Sequence, residues 1–295
     1  MFIDTFIEFL RSERNYSLHT IRAYKTDLRS FEEYLIGVDA ALSVQNADAD
    51  LVRGWVSSLI DEGGSPNSVN RKLSTLRTFY DFLRNENVVE QNPLQGLNGP
   101  KRRSVLPVFL KDGEVNSVID SQRYSDSFLD VRDKVILLSF YETGIRLSEL
   151  VGLNVSDVDF SNKQLKVFGK RKRERVVPFV NELSEELAFY ISERNQIAPA
   201  DEKALFVSIN GERLSASQVY RIVNKRLSGV VNVNKKSPHV LRHTYATSML
   251  NNDAELGAVK ELLGHKRLAT TEIYTHLTFE ELKHYYKKAH PRAGN

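Results

Sequence analysis

Residues 238–243 read Pro-His-Val-Leu-Arg-His, and the interpretation of the rest of the chain starts from this stretch. Proline is favoured in the first turn of a helix, because its fixed backbone angle suits that position. The spacing then places His239 and Arg242 at i and i+3, on one face of the predicted helix. His239 and His243 stand at i and i+4, as in some zinc sites, but the H-E-x-x-H pattern requires a glutamate where Val240 stands. We therefore expect an imidazole and a guanidinium on one helix face, and no metal ion between the histidines.

Two further motifs follow this helix. Residues 262–265 read Leu-Leu-Gly-His, and the glycine indicates that a helix ends just before His265. Residues 270–276 read Thr-Thr-Glu-Ile-Tyr-Thr-His and are predicted to carry Tyr274 on the next helix. Arginine, two histidines and tyrosine are thereby gathered on neighbouring helices, a set suited to chemistry on a phosphodiester. Each residue alone is a weak signal, because a single arginine is usually an ion-pair partner and a single tyrosine is usually half-buried packing.

The length and composition exclude several classes of protein. A chain of 295 residues is long enough for about two domains. It contains no cysteine, which excludes a disulfide scaffold and a thiolate metal site and fits a reducing compartment. The first residues, Met-Phe-Ile-Asp, lack the basic-then-apolar layout of a signal peptide, and no apolar run is long enough to span a membrane. We expect a cytoplasmic protein with no membrane contact.

The charge is distributed unevenly along the chain. Residues 1–100 carry 10 Lys and Arg against 14 Asp and Glu, whereas residues 101–295 carry 31 against 24. The net charges of the two parts are therefore −4 and +7. A basic second part favours a polyanionic partner such as nucleic acid, although a solvated basic face would give the same count.

The amino-terminal part of the chain predicts a compact domain of four helices. Residues 2–13 have apolar side chains at helical spacing, and a second helix begins after Ser17, whose hydroxyl can cap it. A third opens at Asp48 or Asp50, and a fourth begins at Ser65-Pro66. The polar side of the fourth helix is basic. This is equally consistent with contacts to a phosphate backbone and with an ordinary solvated face. The basic residues are Arg71, Lys72 and Arg77.

Residues 92–108 contain three of the eight prolines and no helical period, which is typical of an interdomain linker. The chain is thus predicted to divide into a domain over residues 1–91, this linker, and a second domain over residues 109–295. The linker also holds three consecutive basic residues, which predict that it crosses nucleic acid or simply that it is polar. They are Lys101, Arg102 and Arg103.

The second domain is predicted to be mostly helical with one β-hairpin. A helix that ends at Thr143-Gly144 leads into a further helix start, where Arg146 and Glu149 stand at i and i+3. Arg146 near a helix N-terminus can present its guanidinium to an anion, or it can form a local ion pair with Glu149. Residues 164–168 and 175–180 are predicted strands on either side of a strongly basic turn.

Six residues occur together in an order that is specific as a set. They are Arg146, Lys170, His239, Arg242, His265 and Tyr274. The set resembles that of the tyrosine recombinase, or phage integrase, family. The Ser-Pro-His-Val-Leu-Arg-His run, the short length and the His-Pro-Arg-Ala tail are most similar to the bacterial Xer recombinases. The resemblance covers nearly the whole chain and implies a mainly α fold: a four-helix core-binding (SAM-like) domain, then a mostly helical catalytic domain with a small antiparallel β-sheet.

The resemblance assigns chemical roles to these residues. Tyr274 matches the nucleophile, which forms a 3′-phosphotyrosine. Arg146 and Arg242 match the pair that clamps the non-bridging oxygens of the phosphate. Lys170 matches the general acid that protonates the departing 5′-oxygen.

Three supporting positions also match. His239 matches a residue that transfers a proton near the tyrosine, His265 a donor to a phosphate oxygen, and Glu149 an acidic residue that orients its neighbours. Because the covalent intermediate conserves the bond energy, the resemblance implies that no ATP, metal ion or other cofactor is required.

The basic turn leaves one assignment open. Lys170 matches the family's Gly-Lys pattern, and Lys172 is the alternative general acid. The other basic residues of the turn are predicted to contact DNA phosphates. They are Arg171, Lys172 and Arg173.

The resemblance also implies an assembly on DNA. In the family, the last helix docks in a neighbouring subunit and closes a ring of four subunits around two duplexes. The predicted anchors of this helix are Phe279, Leu282 and Tyr286, although a helix packed on its own subunit would show the same apolar pattern. The sequence leaves open whether the tetramer includes a second Xer recombinase and whether an FtsK-type DNA translocase activates it.

The implied function is site-specific recombination of double-stranded DNA, with resolution of chromosome dimers at a dif-like site as the expected role. Integration of a phage or conjugative element uses the same chemistry, and a type IB topoisomerase shares the nucleophile. A helical DNA-binding protein without enzymatic activity would use the same basic surfaces, but it has no need of the ordered set.

Overall fold

A computed structural model describes residues 2–101, 109–120, 127–169, 174–228, 236–264 and 279–293 of the chain. The chain divides into two compact units, Met1–Val105 and Leu106–Asn295. No helix in these described ranges combines the length and the apolar character that a membrane span requires.

The first unit contains the four predicted helices. Their bounds are Phe2–Ser12 (α1), Leu18–Val38 (α2), Ala49–Asp61 (α3) and Pro66–Asn85 (α4). The Ser17 side chain accepts a hydrogen bond from a backbone N–H of the first turn of α2, and Asp48 and Ser65 do the same for α3 and α4. A side-chain cap satisfies an N–H that has no partner within the helix, which contributes about 1 kcal/mol. Of the two alternatives for α3, Asp48 rather than Asp50 is therefore the cap.

Aromatic side chains fill the core of the first unit. Phe31 of α2 packs against Trp55 of α3 with ring centroids 4.9 Å apart, and Phe6 of α1 packs edge-on against Phe79 of α4 at 5.2 Å. All four rings are almost completely buried. Aromatic pairs in these geometries contribute about 0.5–1.5 kcal/mol beyond the area that they bury.

The predicted linker begins against the first unit. Leu94 is buried in the core of that unit, and the backbone oxygen of Leu97 accepts a hydrogen bond from Arg77. Lys101 is exposed, and Arg102 and Arg103 lie outside the described residues. The assignment of residues 92–108 as an interdomain linker stays a prediction.

The second unit is mostly helical. Its helices are Asp112–Ile119 (α5), Phe128–Thr143 (α6), Leu147–Gly152 (α7), Asn181–Ile197 (α8), Ala216–Ser228 (α9), Pro238–Asn251 (α10), Leu256–Leu263 (α11) and Phe279–Ala289 (α12). From Val131 to Thr143, α6 is buried at every position except Lys134, and it contacts α5, α8, α9 and α10. It is the central helix of this unit, and its carboxyl end places the next residues of the chain in the interior.

A small antiparallel sheet completes the second unit. Its strands are Val158–Asp159 (β1), Gln164–Phe168 (β2) and Glu174–Pro178 (β3), in the order β1-β2-β3. The predicted hairpin is present: β2 pairs with β3 from Gln164 opposite Pro178 to Phe168 opposite Glu174. The second strand begins one residue earlier than predicted and ends at Pro178. The two-residue strand β1 was not predicted, since it is too short to show an alternating pattern.

Candidate active site

Three arginine side chains meet at the carboxyl end of α11. They come from the start of α7, from β3 and from α10, and each donates to a different consecutive backbone oxygen. The pairs are Arg175 Nε to Leu262 O at 3.0 Å, Arg242 Nη2 to Leu263 O at 2.6 Å and Arg146 Nη2 to Gly264 O at 2.9 Å. The last carbonyls of a helix have no partner within it and carry partial negative charge, so they attract cations. We call these three side chains the arginine cluster.

The local backbone places Arg146 in this cluster. The helix α6 ends at Gly144, which has a left-handed backbone with φ +57°. A Cβ atom at Gly144 would lie 2.4 Å from the ring of Tyr245, so this turn requires glycine for space as well as for conformation. Two residues later, Arg146 stands in extended conformation as the N-cap of α7, as the predicted helix start requires.

A buried carboxylate links two of the arginines. The Glu149 side chain accepts from the Arg146 backbone N–H at 2.8 Å and from Arg146 Nη1 at 2.8 Å. It also accepts from Arg175 Nη1 at 2.7 Å and Nη2 at 2.9 Å. Burial acts to raise the pKa of Glu149, but the hydrogen bonds from Arg175 and Arg146 outweigh it and lower the pKa to about 2. The carboxylate is therefore ionised at neutral pH.

Arg242 is the most enclosed cation of the cluster. Its side chain donates through Nη1 to the Gly144 oxygen and through Nη2 to the Leu263 oxygen. Burial, together with the positive charge of Arg146, lowers the pKa of Arg242 to about 10, and Glu149 partly offsets this effect. Arg242 thus keeps its charge at neutral pH. Three guanidinium groups against one carboxylate leave an excess of two positive charges among these residues.

The structure brings Arg146, Arg242 and Glu149 together, which fits what the resemblance implies. The local ion pair between Arg146 and Glu149 is present, and anion binding by Arg146 stays a prediction. About a third of the Arg146 side chain, 35%, remains exposed, which leaves the guanidinium accessible to an anion. His239 lies about one turn before Arg242 on α10, at an exposed position.

Several predicted site residues lie outside the described residues. They are Lys170, His265 and Tyr274, together with Arg171, Lys172 and Arg173 of the basic turn. Their neighbours in the chain are described: β2 and β3 flank the basic turn, and α11 ends at Leu263 with Gly264 in left-handed conformation, as predicted. The roles of these residues stay predictions.

Arg175 belongs to the site, although the sequence motifs assign it no role. In the hairpin, Arg175 stands opposite Val167, which is fully buried, and therefore on the same face as Leu165 and Val177. An arginine at an inward-facing position of a strand needs a buried partner. That violation of the alternating pattern is the signal in the sequence that points to Arg175.

The predicted DNA-binding residues of α4 have partners within the first unit. Arg71 donates to both carboxylate oxygens of the buried Asp27, and half of its side chain is exposed. Lys72 Nζ lies 3.2 Å from Ser30 Oγ and 5.6 Å from the centroid of the Trp55 ring. These contacts give Arg71 and Lys72 a structural role, and DNA binding by these residues and Arg77 stays a prediction.

The helix α12 packs against its own subunit. Leu282, Tyr286 and Ala289 are buried in a cluster with Tyr245 and Met249 of α10 and with residues of α11. Of the predicted anchors, Leu282 and Tyr286 thus occupy sites in the same chain, and the side chain of Phe279 lies outside the described residues. Docking onto a neighbouring subunit stays a prediction.

The residues after α12 are fastened to the second unit. Arg292 binds Asp120 at the end of α5 through Nη2, at 2.6 and 2.8 Å, and Glu182 of α8 through Nη1. The ring of His290 stacks on Tyr286 with centroids 5.0 Å apart and is buried, which lowers the pKa of His290 to about 4. The imidazole is therefore neutral at physiological pH.

The sequence matches two family descriptions. Residues 109–281 match the Phage integrase family, and residues 3–87 match the Phage integrase, N-terminal SAM-like domain. The first match covers most of the second unit, including the arginine cluster, and the second match lies within the first unit. The chain belongs to the phage integrase family, which is the tyrosine recombinase family.

Comparison with individual proteins narrows the type. The chain is 38% identical to tyrosine recombinase XerC of Thermodesulfovibrio yellowstonii, over 98% of this chain and 96% of that protein. The protein is thus a Xer-type tyrosine site-specific recombinase, an enzyme that works by the tyrosine recombinase mechanism.

Two solved structures show the same fold at low sequence identity. One is the XerH site-specific recombinase bound to a palindromic difH substrate in a post-cleavage complex, with TM-score 0.72 and 21% identity over 95% of this chain and 79% of that chain. The other is a lambda integrase tetramer bound to a Holliday junction, with TM-score 0.67 and 18% identity over 91% of this chain and 74% of that chain.

Proposed function

We propose that this recombinase resolves chromosome dimers by cutting and rejoining double-stranded DNA at a dif-like site. The observation that carries the cutting and rejoining of DNA in this proposal is the convergence of Arg146 and Arg242 on the end of α11, with more positive charge than Glu149 compensates. A phosphodiester in transition to a pentavalent state gains negative charge on its non-bridging oxygens. Guanidinium groups that are held in place by helix ends are suited to bidentate hydrogen bonding with those oxygens.

The covalent step balances with the predicted residues. The Tyr274 hydroxyl oxygen attacks phosphorus, the bond from phosphorus to the 5′-oxygen breaks, and a 3′-phosphotyrosine forms. An unperturbed tyrosine hydroxyl has a pKa near 10 and keeps its proton at neutral pH, so this proton needs an acceptor, and we assign that role to His239. Lys170 gives a proton to the departing 5′-oxygen. The free 5′-hydroxyl of a second duplex then reverses the attack on the phosphotyrosine.

The remaining residues hold the phosphate and the DNA in this proposal. His265, which follows the end of α11 directly, donates to a non-bridging oxygen. Lys101 and the basic turn contact phosphates near the site, so that the affinity for DNA falls with the salt concentration. Each phosphate contact that is removed should reduce the slope of log affinity against log salt by about 1.

We propose that the working form is a tetramer on two duplexes. The lambda integrase structure of the same fold is a tetramer bound to a Holliday junction, which supports this assembly. Leu282 and Tyr286 would then leave their own subunit and anchor α12 in a neighbour. A second Xer recombinase as partner, and activation by an FtsK-type translocase, belong to the same proposal.

Covalent trapping tests the proposal. The protein is incubated with nicked duplexes that carry either dif-like sites or attachment sites of mobile elements, denatured, and examined for a DNA-linked band. Wild type should form the band and Tyr274→Phe should not. Tyr220→Phe, at an exposed tyrosine of α9, is the matched control and should form the band as wild type does. A band in Tyr274→Phe would overturn the assignment of the nucleophile, and a band only with attachment sites of mobile elements would overturn the role at dif.

A further inference from the structure

Arg175 makes three contacts that no other residue among those described reproduces. Its Nε donates to the Leu262 oxygen at 3.0 Å, and its two terminal nitrogens donate to the two carboxylate oxygens of Glu149 at 2.7 and 2.9 Å. This paired geometry needs the planar fork of a guanidinium, and a lysine ammonium cannot form it. One side chain therefore joins the carboxyl end of α11 to the first turn of α7.

The space around Arg175 is also specific. A Cβ atom at Gly264 would lie 3.2–3.3 Å from three atoms of the Arg175 guanidinium, so the cation lies directly against the Gly264 backbone. Gly264 has φ +64°, which glycine adopts without strain. The glycine therefore gives the end of α11 its turn and leaves room for the arginine.

The position of Arg175 in the chain connects it to the basic turn. It is the second residue of β3 and stands opposite Val167 of β2, two positions after residue 173, the last residue of that turn. Any displacement of the β2–β3 hairpin would move Arg175 and, through it, Glu149. Glu149 in turn holds both the backbone N–H and Nη1 of Arg146.

We propose that Arg175 is a positioning residue for DNA cleavage. It holds Arg146 at a fixed place relative to the end of α11 and to the hairpin. This inference rests on the proposed function. Arg175 acts through other residues rather than on the phosphate, since its Nε, Nη1 and Nη2 all donate to protein oxygens. Arg175 acts on Arg146 through the carboxylate of Glu149, which would lose two of its four hydrogen bonds without Arg175.

The test compares single-turnover rates of adduct formation for wild type, Arg175→Gln and Arg175→Lys on one nicked duplex. A misplacement of about 1 Å costs on the order of 100-fold in rate, so we expect a loss of that size in Arg175→Gln. Arg175→Lys keeps the charge but loses the fork, and it should recover only part of the rate. DNA affinity should change by less than about threefold in both variants, because the residue does not contact phosphate.

A second substrate separates positioning from a general loss of structure. In this duplex a methyl group replaces one non-bridging oxygen of the scissile phosphate, which removes the charge that Arg146 would bind. The defect of Arg175→Gln relative to wild type should shrink at least about tenfold on one stereoisomer, since the two effects act through the same contact. Arg194→Gln is the control: this buried arginine donates to the carbonyl oxygens of Ala204 and Glu202, away from the cluster. Arg194→Gln should lower the Tm of the protein, and at temperatures below that Tm it should leave the cleavage rate unchanged.

Two results would overturn the inference. One is a wild-type cleavage rate in folded Arg175→Gln or Arg175→Lys, and the other is an equal defect on the phosphate and on both methylphosphonate stereoisomers. Failure of the proposed function looks different, because wild type itself would then form no adduct on either duplex. That result would remove the reaction for which Arg175 is proposed to position Arg146, and the inference with it.

Discussion

Arg242 Nη2 lies 2.6 Å from the backbone oxygen of Leu263 and thereby joins α10 to the end of α11. The same guanidinium donates to the oxygen of Gly144, at the end of α6. One buried cation thus satisfies carbonyl groups at two helix ends, where the helix dipoles favour positive charge. The position of Arg242 is therefore fixed before any substrate binds, which is the condition for electrostatic stabilisation of a transition state.

Replacement of Arg242 by lysine should reduce cleavage strongly. A lysine ammonium presents all its donors from one nitrogen and cannot span the two carbonyl oxygens as the two terminal guanidinium nitrogens do while also binding a phosphate oxygen, so we expect Arg242→Lys to lower the rate of adduct formation by about 10²–10³-fold. The rate is measured in single turnover on a nicked duplex. Arg194→Lys, at a buried arginine that also donates to carbonyl oxygens, is the control and should keep the wild-type rate. A loss of less than about threefold in Arg242→Lys would contradict the role.

Gly144→Ala should destabilise the second unit. The added methyl group would lie 2.4 Å from the Tyr245 ring, and the left-handed backbone at this position is itself unfavourable for alanine. We expect a loss of about 2–4 kcal/mol in the free energy of unfolding. The measurement is thermal unfolding, with Gly113→Ala as control. Gly113 lies in α5 with open space around it, so alanine there should be neutral or stabilising by up to about 1 kcal/mol.

Glu149 should make the protein sensitive to acid. Its pKa is about 2 in the folded protein and 4.5 in the unfolded chain, so its contribution to stability is present above pH 4.5 and is lost as the pH falls toward 2. Glu149→Gln should therefore unfold more easily than wild type at pH 6, by about 3 kcal/mol, with a difference that shrinks below pH 4.5. Urea unfolding at several pH values measures this. If the difference in the free energy of unfolding between wild type and Glu149→Gln did not change with pH, the charge of Glu149 would not be what stabilises the fold.

Glu142 should act in the opposite direction. It is fully buried on α6, and burial raises its pKa to about 8, above the unfolded value of 4.5. For an acid with a raised pKa, stability falls as the pH rises from 4.5 toward 8, because the unfolded chain ionises first. Glu142→Gln should gain roughly 2–4 kcal/mol relative to wild type between pH 5 and pH 8.5. Glu185→Gln, at an exposed position of α8, should show no such trend.

Arg292→Gln should loosen the packing of α12. The variant leaves Asp120 and Glu182 without their cation, and we expect a loss of about 1–3 kcal/mol in the free energy of unfolding. Hydrogen exchange should become faster in α12 than in α6. Lys288→Gln, at an exposed basic residue of the same helix, serves as the reference and should leave exchange unchanged. Equal exchange in both variants would mean that the apolar contacts of Leu282 and Tyr286 hold α12 alone.

The features that could be predicted from the sequence are those set by neighbouring residues. Ser17, Ser65-Pro66 and Gly264 mark helix ends through local hydrogen bonds and backbone angles, so their positions are correct in the structure. Arg146 and Arg242 were found because ordered motifs identify the family. Nothing in those motifs shows that both arginines bind the end of α11.

The features that the sequence hides depend on distant partners. Arg175 lies 26 positions from Glu149 and 87 from Leu262, so no local pattern predicts their contacts. The packing of α12 on its own subunit cannot be predicted for the same reason, because its apolar stripe would fit its own subunit or a neighbouring one equally well.

The contact between Arg292 and Asp120 spans 172 positions of the chain, and it joins the first helix of the catalytic unit to residues that follow the last helix. Contacts so far apart in sequence form late in folding, because a long loop must close before they are made. During synthesis α5 leaves the ribosome long before Arg292 does, so this ion-pair cluster cannot close until almost all of the unit has been translated. A nascent recombinase would therefore lack this ion-pair cluster after α12 until residue 292 has left the ribosome.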